Sequence, residues 1–166
     1  MKKIILSVLS LIVLITLSGC QDKFDPQTAI QDSRTTLNEF LGTFDKKEKV
    51  LETYTEKEVT NFFEKEQQKY FSENFKQNIL PYKLEELEFD IEKDYLKIGK
   101  HFLFLAVTND ENGVFWNKMI IKDDELDTEK ETVTFYISSE SPSRPSGYIE
   151  MIKENGTWKI NNILEL

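Results

Sequence analysis

One thiol, one imidazole and thirty carboxylates make up the reactive inventory of this 166-residue chain. The thiol, Cys20, ends an apolar run and follows Leu17, Ser18 and Gly19. A thiolate is the readiest nucleophile among ordinary side chains, so a cysteine with small, open neighbours suits covalent attachment to an electrophile. His101 is the sole histidine. It would serve as a general base only beside an oriented partner within hydrogen-bond reach. No local pattern supplies that partner, and a strand-edge role is expected instead. The run "DDELDTEKE", residues 123–131, concentrates carboxylates that could offer oxygen ligands to calcium. It lacks the central glycine and alternating ligands of an EF-hand loop. A solvated loop between two strands is the simpler expectation.

Other chemistries fall away on inspection. One cysteine and one histidine cannot build a His/Cys metal cluster. No serine sits in a nucleophile elbow, no glycine-rich phosphate loop is present, and the scattered acids mark no glycosidase pair. No catalytic residue, metal ligand or cofactor is therefore assigned, and a non-enzymatic protein is expected. The formal charge of −9 disfavours any grip on nucleic acid, which needs lysine and arginine against phosphates. The chain also has no polybasic patch for anionic lipid.

The setting of Cys20 gives it a role. Lys2 and Lys3 precede an apolar run from Ile4 to Leu17, broken only by Ser7, Ser10 and Thr16. That run is shorter than the roughly 20 residues a spanning helix needs, and it has the layout of a secretory segment. Leu17-Ser18-Gly19-Cys20 resembles the lipobox of bacterial lipoproteins. The resemblance implies a signal peptide at 1–19, a diacylglycerol on Cys20, and a short tether over 20–25. It also implies a location on the extracytoplasmic face of the cell membrane. Two acyl chains hold stably where one would not. Arg34 and Arg144 are the only arginines, and Ala29 and Ala106 the only alanines; this bias hints at a low-GC Gram-positive source. Loss of 1–19 removes two lysines and no acid, so the charge falls from −9 to −11. With Cys20 lipidated no disulfide is available, and the core must suffice. Twelve phenylalanines, six tyrosines and two tryptophans make that feasible.

The remaining chain, 26–166, reads as one domain. Asp25-Pro26 suits an N-cap and first helical residue, and Ile30, Leu37, Phe40, Leu41 and Phe44 give 26–45 a helical stripe. Thr55 and Glu58 match a capping box opening a second helix that continues to Tyr70. A third, starting near Ser72 with Phe75 and Ile79 on one face, should stop before Pro81. The period then changes to two: Leu87, Phe89 and Ile91 alternate with acids, and a further strand is expected within 95–108. Asn112-Gly113 and Asn155-Gly156 predict hairpins pairing 102–111 with 114–122 and 148–154 with 157–164. "ETVTFYISS" reads as another alternating strand, and "SPSRPSG", 141–147, as a connection. Helices followed by a meander of five or six antiparallel strands make an α+β layout, with the helices on one sheet face.

"KYFSENFKQNIL", 69–80, and "GYIEMIKENGTWKINNI", 147–163, are similar to the pre-strand helix and closing hairpin of the NTF2-like (cystatin-like) superfamily. That resemblance implies a curved roll whose sheet face forms dimers or whose interior cone holds ligands. A turn at Asn112-Gly113 would set Leu105 opposite Ile120 and Val107 opposite Lys118. Phe102, Phe104, Phe115, Met119 and Ile121 would then share one face, leaving both faces of the pair apolar. The second face could close the core, line a pocket or meet another chain. These five residues are the candidate interface, for an envelope protein or a second copy. A small-ligand binder or minor enzyme using the cone is the alternative.

Overall fold

The computed structural model describes residues 24–44, 53–89, 92, 107–110, 113–116, 119–139 and 146–165, with the backbone alone at 107–110, 113–116 and 165. The architecture is α+β. Helices α1 (Pro26–Leu41), α2 (Glu56–Asn61) and α3 (Leu80–Glu85) precede strands β1 (Val107–Asp110), β2 (Gly113–Trp116), β3 (Met119–Asp127), β4 (Thr132–Ser139), β5 (Ser146–Glu154) and β6 (Thr157–Glu165). Strands β3 to β6 form an antiparallel meander in chain order; β1 and β2 form a separate ribbon.

Helix α1 starts where the sequence places it. Asp25 caps it by accepting from the Gln27 amide, and Pro26 occupies the first turn, where no intrahelical N–H is needed. Ala29, Ser33, Leu37, Phe40 and Leu41 form its buried stripe. Buried Ser33 donates back to the Ala29 carbonyl at 2.6 Å, which removes the cost of an unpaired hydroxyl. The capping box of α2 is closed in both directions between Thr55 and Glu58.

The helix expected to run on to Tyr70 changes geometry instead. A π-helical turn spans Phe62–Glu66 and a 3₁₀ turn spans Gln68–Tyr70. A second π-helical turn, Phe75–Ile79, leads directly into α3, so the third helix does not stop before Pro81. Proline cannot donate to the turn behind it. The chain absorbs this by widening: φ opens to −118° at Ile79, and the Leu80 amide bonds the Phe75 carbonyl five residues back. Pro81 then stands in the first turn of a new α segment, where its missing donor costs nothing.

Residues 87–89 show the expected alternation of burial but no strand. Leu87 and Phe89 pack against the core and Glu88 is exposed, with Phe89 making only a single bridge. The expected strand within 95–108 lies outside the described residues up to 106. In the ribbon, Val107 pairs with Trp116 and Asp110 with Gly113, not Val107 with Lys118. The turn therefore falls one residue earlier than the Asn-Gly pattern suggests. Nor is 114–122 one strand, because Met119 onward belongs to the four-stranded sheet.

The β5–β6 hairpin closes as expected on Asn155 (φ 51°) and Gly156 (φ 79°), both in the left-handed region that a type I′ turn requires. Each edge strand of the sheet carries a bulge. Lys122 is the extra residue in β3, between Ile121–Ile137 and Asp123–Tyr136 pairs. Asn161 is the extra residue in β6, between Met151–Ile160 and Glu150–Asn162 pairs. Asn161 repays its lost ladder position by bonding Ser72 and Glu150 with its side chain.

The core lies between the helical layer and one sheet face. Phe40, Phe75, Phe135, Ile137, Ile149, Met151 and Ile160 are fully buried there. Phe40 meets Phe71 edge-on at 5.7 Å between centroids, and Phe71 meets Phe75 at 4.6 Å. The Ser72 amide bonds the Ile160 carbonyl, tying the helical layer to the edge of β6.

Candidate functional site

The inner sheet face is consumed by the core, so the site must be built on the outer one. Strand alternation sends Val133, Phe135 and Ile137 of β4 inward and Thr134, Tyr136 and Ser138 outward. Register then aligns side chains across the whole sheet. Asp123 pairs with Tyr136, Tyr136 with Tyr148, and Tyr148 with Leu164. This gives one lateral row across four strands, about 14 Å wide at ordinary strand spacing. Tyr148 is 38% exposed and Leu164 56%, unusual for large apolar groups in neighbouring positions.

The next row is polar: Glu125, Thr134, Glu150 and Asn162 stand side by side. The Tyr136 and Tyr148 rings lie 5.4 Å apart between centroids, inclined at 48°. With Asp123, Asp124, Glu125 and Thr134 they line a depression of about 340 Å³. Asp124 is committed inward to Arg34 of α1. Asp123 accepts from the Asp124 amide at 2.9 Å, and no lysine or arginine among the described residues pairs with Asp123 or Glu125. The arrangement joins π faces and unneutralised carboxylates on an open surface. It can attract a cation and bury an apolar side chain.

A second depression, about 320 Å³, opens beside the start of α1 between Asp25, Asp32, Lys153 and Trp158. One of its carboxylates is already engaged. Thr28 and the Gln27 amide donate to Asp25 and hold its carboxyl below the usual range. The Trp158 indole N–H is buried beside it with no hydrogen-bond partner among the described residues, while Phe24 contacts the ring edge-on at 6.5 Å.

The residues singled out from sequence divide clearly. Cys20, His101, Phe102 and Phe104 lie outside the described residues. Phe115 is in β2 opposite Thr108. Met119 is buried in the chain's own core, and Ile121, paired with Ile137, packs against that core half-buried. The acidic run 123–131 is not a loop throughout: Asp123–Asp127 belong to β3, and only 128–131 turn. There the Lys130 amide and then its ammonium hold the Asp127 carboxyl below its usual range, with the Glu129 amide adding to them. No group of three metal-ligating side chains occurs among the described residues, and no described helix is long and apolar enough to cross a membrane.

Sequence reasoning missed Tyr136, Tyr148 and Leu164. A signal existed: each tyrosine falls on the polar phase of its strand. What was lacking is the β4–β5 register, set across a proline-serine connection that no turn rule fixes. No family model, curated protein or solved structure matches the chain.

Proposed function

We propose that this protein is a non-enzymatic binding module of the cell envelope. A diacylglycerol on Cys20 holds it at the extracytoplasmic face of the membrane, and the outer face of β3–β6 docks another envelope protein. The observation that carries the docking role is the exposed Tyr148–Leu164 pair on the face opposite the helices. Antiparallel sheets of this layout ordinarily turn polar groups outward. The order of elements, helices and then a meander ending in an Asn-Gly hairpin, supports an NTF2-like roll as the finer description of the domain. Among the described residues, Phe40, Phe71, Phe75 and Phe135 are buried between helices and sheet, where a ligand of the cone would have to sit. That favours docking over a small-molecule binder or enzyme working from the cone.

Two measurements test the proposal. Mass spectrometry of the native protein should find Cys20 as a lipidated first residue; an unmodified Cys20 removes the anchor. Cross-linking in intact cells should capture a protein with wild type and lose it with Tyr148→Ala at equal abundance. Unchanged capture by a folded Tyr148→Ala variant removes the docking face.

A further inference from the structure

We infer that the partner presents a basic segment, with an arginine side chain laid against the Tyr136–Tyr148 pair. The inference rests on the docking role and specifies its chemistry. Aromatic faces attract cations, and two of them line one depression with Asp123 and Glu125. Those carboxylates have no lysine or arginine partner among the described residues, whereas neighbouring Asp124 is already taken by Arg34. Glu150, in the adjacent row, adds a third negative charge. A guanidinium meets both demands together, stacking as a plane on a ring while donating in a fork to a carboxylate. An ammonium can only do one well.

Three occupants compete. A quaternary ammonium headgroup is normally enclosed by several aromatic walls, and here two rings stand on an open sheet. A second copy of this chain would set Asp123 and Glu125 against their own equivalents, and the chain carries −9 overall. A row crossing four strands and ending in exposed Leu164 fits an extended polypeptide with alternating basic and apolar side chains.

The test titrates the full chain, isotope-labelled on its tyrosine rings, with an acetylated and amidated Ala-Arg-Ala-Arg-Ala peptide and its Ala-Gln-Ala-Gln-Ala counterpart. The arginine peptide should shift the Tyr136 and Tyr148 signals and bind about tenfold more tightly than the glutamine one. Asp123→Asn combined with Glu125→Gln should weaken it about fivefold without lowering the thermal midpoint. Glu125→Lys should turn the preference toward Ala-Glu-Ala-Glu-Ala. Equal binding of the arginine and glutamine peptides, absence of binding, or indifference to the double variant overturns the inference. So does tighter binding to phosphatidylcholine vesicles than to peptide, or a dimer that Tyr148→Ala dissociates. Cellular cross-linking separates the two levels. Capture lost with Tyr148→Ala but kept with the double variant leaves the docking face standing and removes its cationic occupant. Capture indifferent to both removes the docking face itself.

Discussion

Arg34 of α1 pairs with Asp124 of β3 while its guanidinium lies 5.1 Å from the centroid of the Phe135 ring. One side chain thus joins helix to sheet through a charge and through a ring face. Both partners are partly exposed, so the ion pair alone contributes modestly. Arg34→Ala also removes the packing of the stem and the stacked plane, and should lower stability by about 2 kcal/mol in urea unfolding. Arg34→Lys should recover less than half of that loss, because an ammonium cannot lie flat on the ring. Full recovery by lysine would show that charge alone matters.

Tyr54 makes stability fall at alkaline pH. Burial pushes its phenol above the ordinary 10.0, and the negative charges of Glu58 and Glu66 push further in the same direction. The folded chain therefore keeps this proton to higher pH than the unfolded chain does. Stability is unaffected below pH 10 and declines as pH rises from 10 through the raised value, since the unfolded state there binds fewer protons. Denaturant midpoints across that window should drop in wild type and drop less in Tyr54→Phe.

The Asn155-Gly156 turn should resist side chains for a conformational reason. A Cβ added at Gly156 meets nothing within 4 Å, yet φ is +79°. Gly156→Ala should cost about 1 kcal/mol although there is room for the methyl group. Asn155→Gly, which suits the same region, should be nearly neutral. A neutral Gly156→Ala would mean that the turn relaxes to another type.

Phe71 and Tyr82 should stand at opposite ends of a mutational scale. Phe71 is 1% exposed, touches the Phe40 and Phe75 rings, and bridges to Ile160. Phe71→Ala should cost about 3–5 kcal/mol through lost burial and a cavity. Tyr82, 69% exposed on α3, should change stability by less than about 0.5 kcal/mol when replaced by alanine. Calorimetry of the two variants decides it.

Local signals carried most of the fold. Asp25-Pro26, the Thr55–Glu58 box and Asn155-Gly156 each act within a few residues, and each is realised. Pro81 misled because a π-helical turn, which no spacing rule announces, lets the helix pass it. The ribbon slipped because Asn112-Gly113 admits two turn registers and only pairing chooses between them. The outer face of the sheet was hidden for a related reason. Tyr136 and Tyr148 are twelve residues apart, and their adjacency comes from a register that non-local packing sets. Met119 and Ile121 looked available for contact because the helices' claim on them was invisible in sequence.

Lys122 is exposed and has no opposite number on β4, because Ile121 and Asp123 face the consecutive residues Ile137 and Tyr136. Excising it would therefore leave Asp123 and Glu125 outward and Asp124 and Leu126 inward, and would only iron out the kink. A straightened margin is a readier template for a stray strand, so the surplus residue guards the border of the sheet and not its inside-out order.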